Sequence, residues 1–325
     1  MSAPAILVTS PSLDEGALAL LREIGTEPQY MHPPIDERMM LAEFARRRYD
    51  AVLMRGPAPF TPAVFAAAKG LKIVSKHGAG YDSIDVAAAT AHGVAVMVTN
   101  GANAPAVAEH SVALMLALSR ELAQFDAGLR RGVWKKPHTR VRDFAGRTVG
   151  IVGYGHIGKH TARLAQACGA NIVVHSRARV GLPAGMEWAD SVEDLLARVD
   201  ILSLHVPLTD RTRGMIGKER IALMKPGALV INTSRGGLID ETAMIAALQD
   251  GRLGGAGLDV FAQEPPDPAN PLFSMPNVIV TPHIASATDA ALAQGGIIFT
   301  RNVVSYLRGE IYDPANFINP QVFRR

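Results

Sequence analysis

Gly153-Tyr154-Gly155-His156-Ile157-Gly158 is a glycine turn of the kind that cradles a pyrophosphate. It follows an apolar run, Thr148–Val152. It opens a segment, Ile157–Cys168, whose Ile157, Leu164, Ala165 and Cys168 recur at helical spacing. That spacing puts the Cys168 thiol on a packed apolar face. A further apolar run, Asn171–His175, follows. Strand, glycine turn, helix, strand is the dinucleotide-binding unit. Gly153 makes the tight turn, Gly155 lets backbone approach the pyrophosphate, and Gly158 lets the helix pack close to the strand. The anion then sits on the helix N-terminus, where unpaired N–H groups and the helix dipole favour it.

Three ionisable residues lie just past other apolar runs. Arg235 follows Ala228–Ser234, Glu264 follows Gly255–Phe261, and His283 follows Val278–Pro282. Parallel sheets bind ligands outside the carboxyl ends of their strands, so these residues converge if their strands are neighbours. Their chemistry is complementary. Hydride transfer to a carbonyl needs a proton donor for the new hydroxyl, and histidine suits that task in both directions. A carboxylate beside it stabilises the imidazolium and fixes the ring. An arginine holds a substrate carboxylate through paired hydrogen bonds and polarises the carbonyl oxygen.

About 20 residues past the glycines, an NAD site usually carries an acid that accepts from the ribose 2′-OH. Here that position is Ser176, within His175-Ser176-Arg177-Ala178-Arg179, and none of the five is acidic. A carboxylate would repel a 2′-phosphate. A hydroxyl followed by the guanidinium groups of Arg177 and Arg179 suits one. NADP(H) is therefore the expected cofactor, with NAD(H) as the alternative.

The elements that must position these residues form two α/β patterns. The first has strands near Ile6–Thr9, Ala51–Arg55, Lys72–Lys76 and Ala95–Val98, with helical stretches such as Asp14–Ile24 and Pro62–Ala68 between them. The second has strands near Thr148–Val152, Ile172–His175, Ile201–Leu204, Ala228–Asn232, Gly255–Val260 and Val278–Thr281. A long helix over Ala102–Leu118 opens the second pattern. A last helix, about Asp289–Leu307, follows it and packs back on the first. The expected architecture is α/β: two Rossmann-like parallel-sheet domains, one discontinuous, with a cleft between them. Residues 1–100 and 285–325 would form a substrate-binding domain and residues 101–284 the dinucleotide-binding domain, with hinges near Asn100 and Ile284.

The composition fits. The chain has 325 residues, 48% of them hydrophobic, with mean hydropathy +0.13, enough for two cores. A net charge of +3 is too small and dispersed to suggest nucleic acid. Arg46-Arg47-Arg48 reads as the solvated end of a helix. A single cysteine forbids an internal disulfide, as a reducing compartment allows. No signal peptide is apparent, and the apolar stretch 106–118 is too short for a membrane span and contains Glu109 and His110. A cytoplasmic location without membrane partners is expected. The ten histidines show no metal-ligand spacing, so no metal is expected.

The chain resembles the D-isomer-specific 2-hydroxyacid dehydrogenases over nearly its whole length. The resemblance rests on 152–158 (VGYGHIG), 205–209 (HVPLT), 232–240 (NTSRGGLID), 257–261 (GLDVF) with Glu264-Pro265, and 281–285 (TPHIA). It implies that Arg235, Glu264 and His283 are the catalytic set. It places cofactor contacts on His156, Ile157, Pro207, Thr212, Thr233, Ser234 and Asp259, with Asp259 facing the nicotinamide amide. It matches Lys76-His77-Gly78-Ala79-Gly80-Tyr81-Asp82 to a loop whose N–H groups bind the substrate carboxylate. A glycine-rich turn after a strand does make such an anion nest. Arg55, Lys76 and His77, at strand ends of the first domain, are candidates to meet an anionic tail. His138 reads as an arm residue near a dimer partner, and the helix near Ala104–Leu118 as the dimer interface.

Ser176 departs from the Asp of most members and is similar to the NADPH-preferring glyoxylate and hydroxypyruvate reductases. Glu264 argues against a formate dehydrogenase, which has Gln there. The resemblance thus implies a homodimeric reductase of small 2-oxo acids, such as glyoxylate or hydroxypyruvate, whose domains close over the substrate. The alternatives are a cofactor-sensing corepressor of the same fold, and a phosphoglycerate or other D-2-hydroxyacid dehydrogenase.

Overall fold

The computed structural model describes residues 3–134 and 140–323. His138 lies outside the described residues. The chain divides into two units, one of Met1–Asn103 with Thr288–Arg325 and one of Ala104–Ala287.

Unit 1 holds β1 (Ile6–Val8), β2 (Gln29–Tyr30), β3 (Ala51–Met54), β4 (Ile73–Lys76) and β5 (Ala95–Val98) in one parallel sheet, order β2-β1-β3-β4-β5. β1, β3 and β5 are continuously apolar because both their faces are buried. Along β3, Ala51 and Leu53 enter one core while Val52 and Met54 enter the other, as the two-residue period of a strand requires. The helix Asp289–Leu307 covers the first of these faces with Phe299, Val303 and Val304. Thr288 caps its start by accepting from the Ala291 N–H. Its Gly295 and Gly296 allow close approach. A Cβ on Gly295 would stand 2.4 Å from His77 Nε2, and one on Gly296 would stand 2.1 Å from Asp14 Oδ2.

Unit 2 holds β6 (Thr148–Val152), β7 (Asn171–His175), β8 (Met186–Trp188), β9 (Ile201–Leu204), β10 (Ala228–Asn232), β11 (Leu253–Leu258) and β12 (Val278–Val280). All pair in parallel, in the order β12-β11-β10-β9-β6-β7-β8. The order reverses between β6 and β9, which makes the crevice beyond their carboxyl ends a ligand site. β8 is a strand beyond those expected, too short and polar to announce itself.

The Arg46 end of the Glu37–Arg46 helix is solvated and pairs with Glu43. Cys168 departs from expectation. The helix after the turn spans His156–Ala167, and Cys168 is its C-cap, with the chain leaving through Gly169 at φ +90°. The thiol is exposed rather than packed, because the helix ends at Ala167 and its apolar face ends with it. Among the described residues no helix is long and apolar enough to cross a membrane.

Candidate active site

The glycine turn lies at the switch point of unit 2. Gly153 has φ +97°, and a Cβ there would stand 2.3 Å from the His205 carbonyl oxygen at the end of β9. A Cβ on Gly158 would stand 2.0 Å from the Gly153 carbonyl oxygen. Gly155 differs: as the N-cap of the His156–Ala167 helix, its added Cβ would meet nothing within 4 Å. Two glycines therefore serve packing, and the third borders open space at a helix N-terminus. That cradle fits a dinucleotide pyrophosphate. His156 and Ile157 form the first turn of this helix.

Ser176 follows β7, the neighbour of β6, and is half-buried. Arg177 is exposed. Arg179 is already engaged: it pairs with Asp190 and lies 5.8 Å from the Trp188 ring centroid. Asp190 lies just past β8, and neither the strand nor this partner has a pattern in the sequence that marks it.

Past β9, the Thr212 hydroxyl closes its own loop, donating to the Pro207 carbonyl at 2.7 Å and accepting from the Thr209 N–H at 2.8 Å. His205 has its Nε2 2.9 Å from Ser203 Oγ, and its Nδ1 is buried without a partner among the described residues. Burial pushes this ring down to about 3, so it stays neutral. Past β10, Ser234 Oγ donates to the Leu204 carbonyl at 2.7 Å. The Thr233 hydroxyl is buried, 2.8 Å from Ser111 Oγ.

Arg235, Glu264 and His283 follow β10, β11 and β12, which are adjacent strands. His283 Nδ1 donates to Glu264 Oε2 at 2.7 Å, and the other carboxylate oxygen accepts from the Phe261 N–H at 3.1 Å. Burial alone would raise the Glu264 pKa. The hydrogen bond and charge of His283, the Phe261 N–H and the nearby Arg235 outweigh it and hold the carboxyl below its ordinary value. The dyad opens on a cavity of about 350 Å³ walled by Phe261, Pro265, Pro266, Phe273 and Val280, a volume in the range of small-molecule sites.

The lowered Glu264 pKa makes a testable demand. Such a group stabilises the fold above its unfolded pKa, near 4.3, and the contribution is lost as pH falls through the folded value. Glu264→Gln is expected to melt below the parent at pH 7, with the gap closing below about pH 4. Melting curves across pH 3–8 measure this; a gap that does not depend on pH contradicts it.

His283 has φ 55°, in the left-handed region. Asp259, at the end of β11, holds that turn. Its backbone carbonyl accepts from the His283 N–H at 2.8 Å. Its carboxylate accepts from Thr281 Oγ1 at 2.6 Å and from the Ile284 and Ala285 N–H groups, each at 2.8 Å. The side chain is 1% exposed.

In unit 1 the strand order reverses between β1 and β3. Arg55 lies there, its N–H donating to Thr9 Oγ1 at 2.8 Å. Lys76, at the end of the neighbouring β4, donates to the Gly56 carbonyl at 2.7 Å. The Gly78 N–H is taken by Thr99 Oγ1 at 2.7 Å, which leaves Ala79 and Gly80 as the amides of this loop without a partner among the described residues. His77 does not suit an anionic tail. Its ring packs edge-on against Phe299, and burial with the charge of Arg55 pushes its pKa down to about 4. It is neutral at working pH. Among the described residues no group of three His, Cys, Asp or Glu is placed to hold a metal.

A doubly wound parallel sheet with this turn at its switch point is a Rossmann-type dinucleotide-binding domain. Residues 112–285 match the model of the D-isomer specific 2-hydroxyacid dehydrogenase, NAD binding domain. The chain is 38% identical over 317 residues to a D-3-phosphoglycerate dehydrogenase of Methanocaldococcus jannaschii, spanning 97% of this chain but only 59% of that protein. It is 36% identical over 329 residues to a glyoxylate reductase of Thermococcus litoralis, covering 98% of each. A crystal structure of a glyoxylate reductase from Paecilomyes thermophila superposes with TM-score 0.89 at 31% identity, covering 99% of this chain and 100% of that one. The chain belongs to the D-isomer specific 2-hydroxyacid dehydrogenase family, whose dinucleotide domain takes a nicotinamide cofactor.

Proposed function

We propose that this protein reduces a small 2-oxo acid, such as glyoxylate or hydroxypyruvate, to the D-2-hydroxy acid, with NADPH preferred over NADH. The observation that carries the reading is the His283–Glu264 pair past β12 and β11, with Arg235 past the adjacent β10. The bound nicotinamide supplies a hydride. Glu264 fixes the His283 ring with Nδ1 protonated, so Nε2 faces the reaction and delivers the proton to the carbonyl oxygen. Arg235 holds the substrate carboxylate and polarises the carbonyl. The N–H groups of Ala79 and Gly80 offer two further donors to an anion. His156, Ile157 and Gly155 would hold the pyrophosphate. Pro207, Thr212, Thr233 and Ser234 line the path of the cofactor, and Ser176 with Arg177 would take the 2′-phosphate. Arg179 contributes less, being shared with Asp190.

The first test follows absorbance of NADPH, and separately NADH, with glyoxylate, hydroxypyruvate and pyruvate. Fast oxidation of NADPH and much slower oxidation of NADH supports both parts. Turnover with NADH alone leaves the chemistry and overturns the cofactor preference. Ser176→Asp is expected to move the ratio of kcat/KM values toward NADH by about tenfold or more, the equivalent of about 1.4 kcal/mol; an unchanged ratio sinks the 2′-phosphate role.

A second reading, a phosphoglycerate dehydrogenase, is favoured by Arg55 and Lys76 at adjacent strand ends beside the switch point of unit 1. Adding 3-phosphohydroxypyruvate to the panel separates the two. A homodimer belongs to the leading reading. The Ala104–Ser119 helix buries most of its apolar residues within unit 2, whereas the next helix, Leu122–Arg130, buries none and exposes Leu122 and Leu129. Light scattering at micromolar concentration should give twice the chain mass; a monomer contradicts this.

A further inference from the structure

We propose that His110 and Thr281 are positioning residues that hold His283 in its working orientation, an inference that rests on the proton-donor role given to His283 above. The starting observation is the left-handed backbone of His283, φ 55°. A residue with a side chain avoids that region, so its surroundings must hold it there. The holding group is the Asp259 carboxylate, which accepts the two amides that follow His283. That carboxylate is oriented in turn by Thr281 Oγ1, which donates to Asp259 Oδ1 at 2.6 Å.

With the Thr281 hydroxyl proton directed at Asp259, the oxygen lone pairs are open to another donor. His110 supplies it. Its Nε2 lies 3.0 Å from Thr281 Oγ1 and 3.8 Å from Asp259 Oδ1. Nε2 must therefore carry a proton, since Thr281 is committed as a donor elsewhere. His110 stands on the Ala104–Ser119 helix, whose next residue, Ser111, meets Thr233 just before Ser234-Arg235. Two consecutive residues of one helix thus brace the loop that carries Arg235 and the loop that carries His283. Thr281 also borders the cavity beside the dyad, so the KM of its variants tells a part in substrate binding from one in positioning. The effect of His110 and Thr281 reaches the reaction through the direction of the His283 ring.

Misplacement of a reacting group by about 1 Å costs roughly 100-fold in rate. Thr281→Val, which keeps the shape and removes the hydroxyl, is therefore expected to lower kcat by roughly 10- to 100-fold with KM changed less than about threefold. Thr281→Ser should restore most of it. In a His283→Ala background Thr281→Val should cost nothing more, because the residue through which it acts is gone. His110→Ala should behave like Thr281→Val in milder form, and it serves as the second variant if Thr281→Val does not fold.

A readout free of turnover is the ¹H–¹⁵N signal of the His283 Nδ1–H, bonded to Glu264. It should shift or broaden in Thr281→Val and His110→Ala and return in Thr281→Ser. An unmoved signal in both variants, or an equal kcat loss with and without His283, overturns the proposal. If no 2-oxo acid is turned over, the functional reading fails while the imidazole signal still decides this one.

Discussion

His283→Ala is expected to lose turnover by about 100- to 10,000-fold, the range for removing a positioned acid or base. NADPH binding should remain, because the ring lies past β12 while the glycine turn lies past β6, with β11, β10 and β9 between the two strands. The fold should also survive. The His283 side chain is 47% exposed, its partner Glu264 is 37% exposed, and the turn is held by backbone and Asp259 contacts that the substitution leaves in place. Alanine at φ 55° is no better tolerated than histidine, so a modest drop in melting temperature is the most that should appear. Single-turnover absorbance of NADPH, paired with fluorescence titration of the cofactor, separates chemistry from binding. Retained full turnover would refute the assignment of the proton donor. Equal loss of binding and turnover would mean that His283 organises the cofactor site instead.

The second large effect concerns the glycines, which should separate into two kinds. Gly158→Ala forces a methyl to 2.0 Å from the Gly153 carbonyl oxygen, a backbone atom that cannot swing aside. Overpacking of this kind costs about 1–3 kcal/mol or more, and both stability and cofactor binding should fall. Gly155→Ala meets no neighbour, and the backbone there, φ −80°, suits any residue. Its stability should stay within about 0.5 kcal/mol of the parent. Its affinity for NADPH should still drop by about tenfold or more, roughly 1.4 kcal/mol, because the methyl occupies the approach of the pyrophosphate. Thermal melts alongside cofactor titrations make the comparison. If Gly155→Ala bound NADPH as tightly as the parent, the cradle would have been placed on the wrong face of the turn.

Much of this architecture is legible in the residues because the signals are local. Strands buried on both faces appear as unbroken apolar runs such as Val52–Met54 and Ile172–Val174, and the turn glycines mark where backbone must pass close to backbone. Elements whose stability comes from elsewhere leave weaker traces. β2 and β8 are short edge strands, exposed or half-exposed, and their residues Gln29-Tyr30 and Met186-Glu187-Trp188 carry no alternation to detect. Asp190 became visible as a partner of Arg179 only once β8 brought it beside the end of β7. Cys168 falls on the apolar period of the His156–Ala167 helix but lies at the cap that ends it, and a period alone does not mark the cap. His110 sits in an apolar helix where its charge argues only against a membrane span. Its bond to Thr281 joins residues 171 positions apart, and no spacing rule reaches that far. The neutral state of His77 likewise depends on Phe299 and the Asp289–Leu307 helix, which arrive from the far end of the chain.

That late arrival bears on how the molecule is made. Unit 2 is one unbroken stretch set between the two pieces of unit 1. During synthesis the strands β1, β3, β4 and β5 emerge first, while Phe299, Val303 and Val304, which seal one face of their sheet, emerge only after unit 2. At about 5–20 residues per second, the intervening stretch takes roughly 10–40 s to leave the ribosome. For that interval Ile6, Val8, Leu53 and Ile73 have Leu13, Ala17 and Leu21 against them but lack the rest of their cover, and at its end unit 2 has every strand and helix of its own core. At that point the nascent chain carries a complete dinucleotide-binding domain and a half-sheathed one, and a chaperone that shields apolar strands would have its substrate in the N-terminal third.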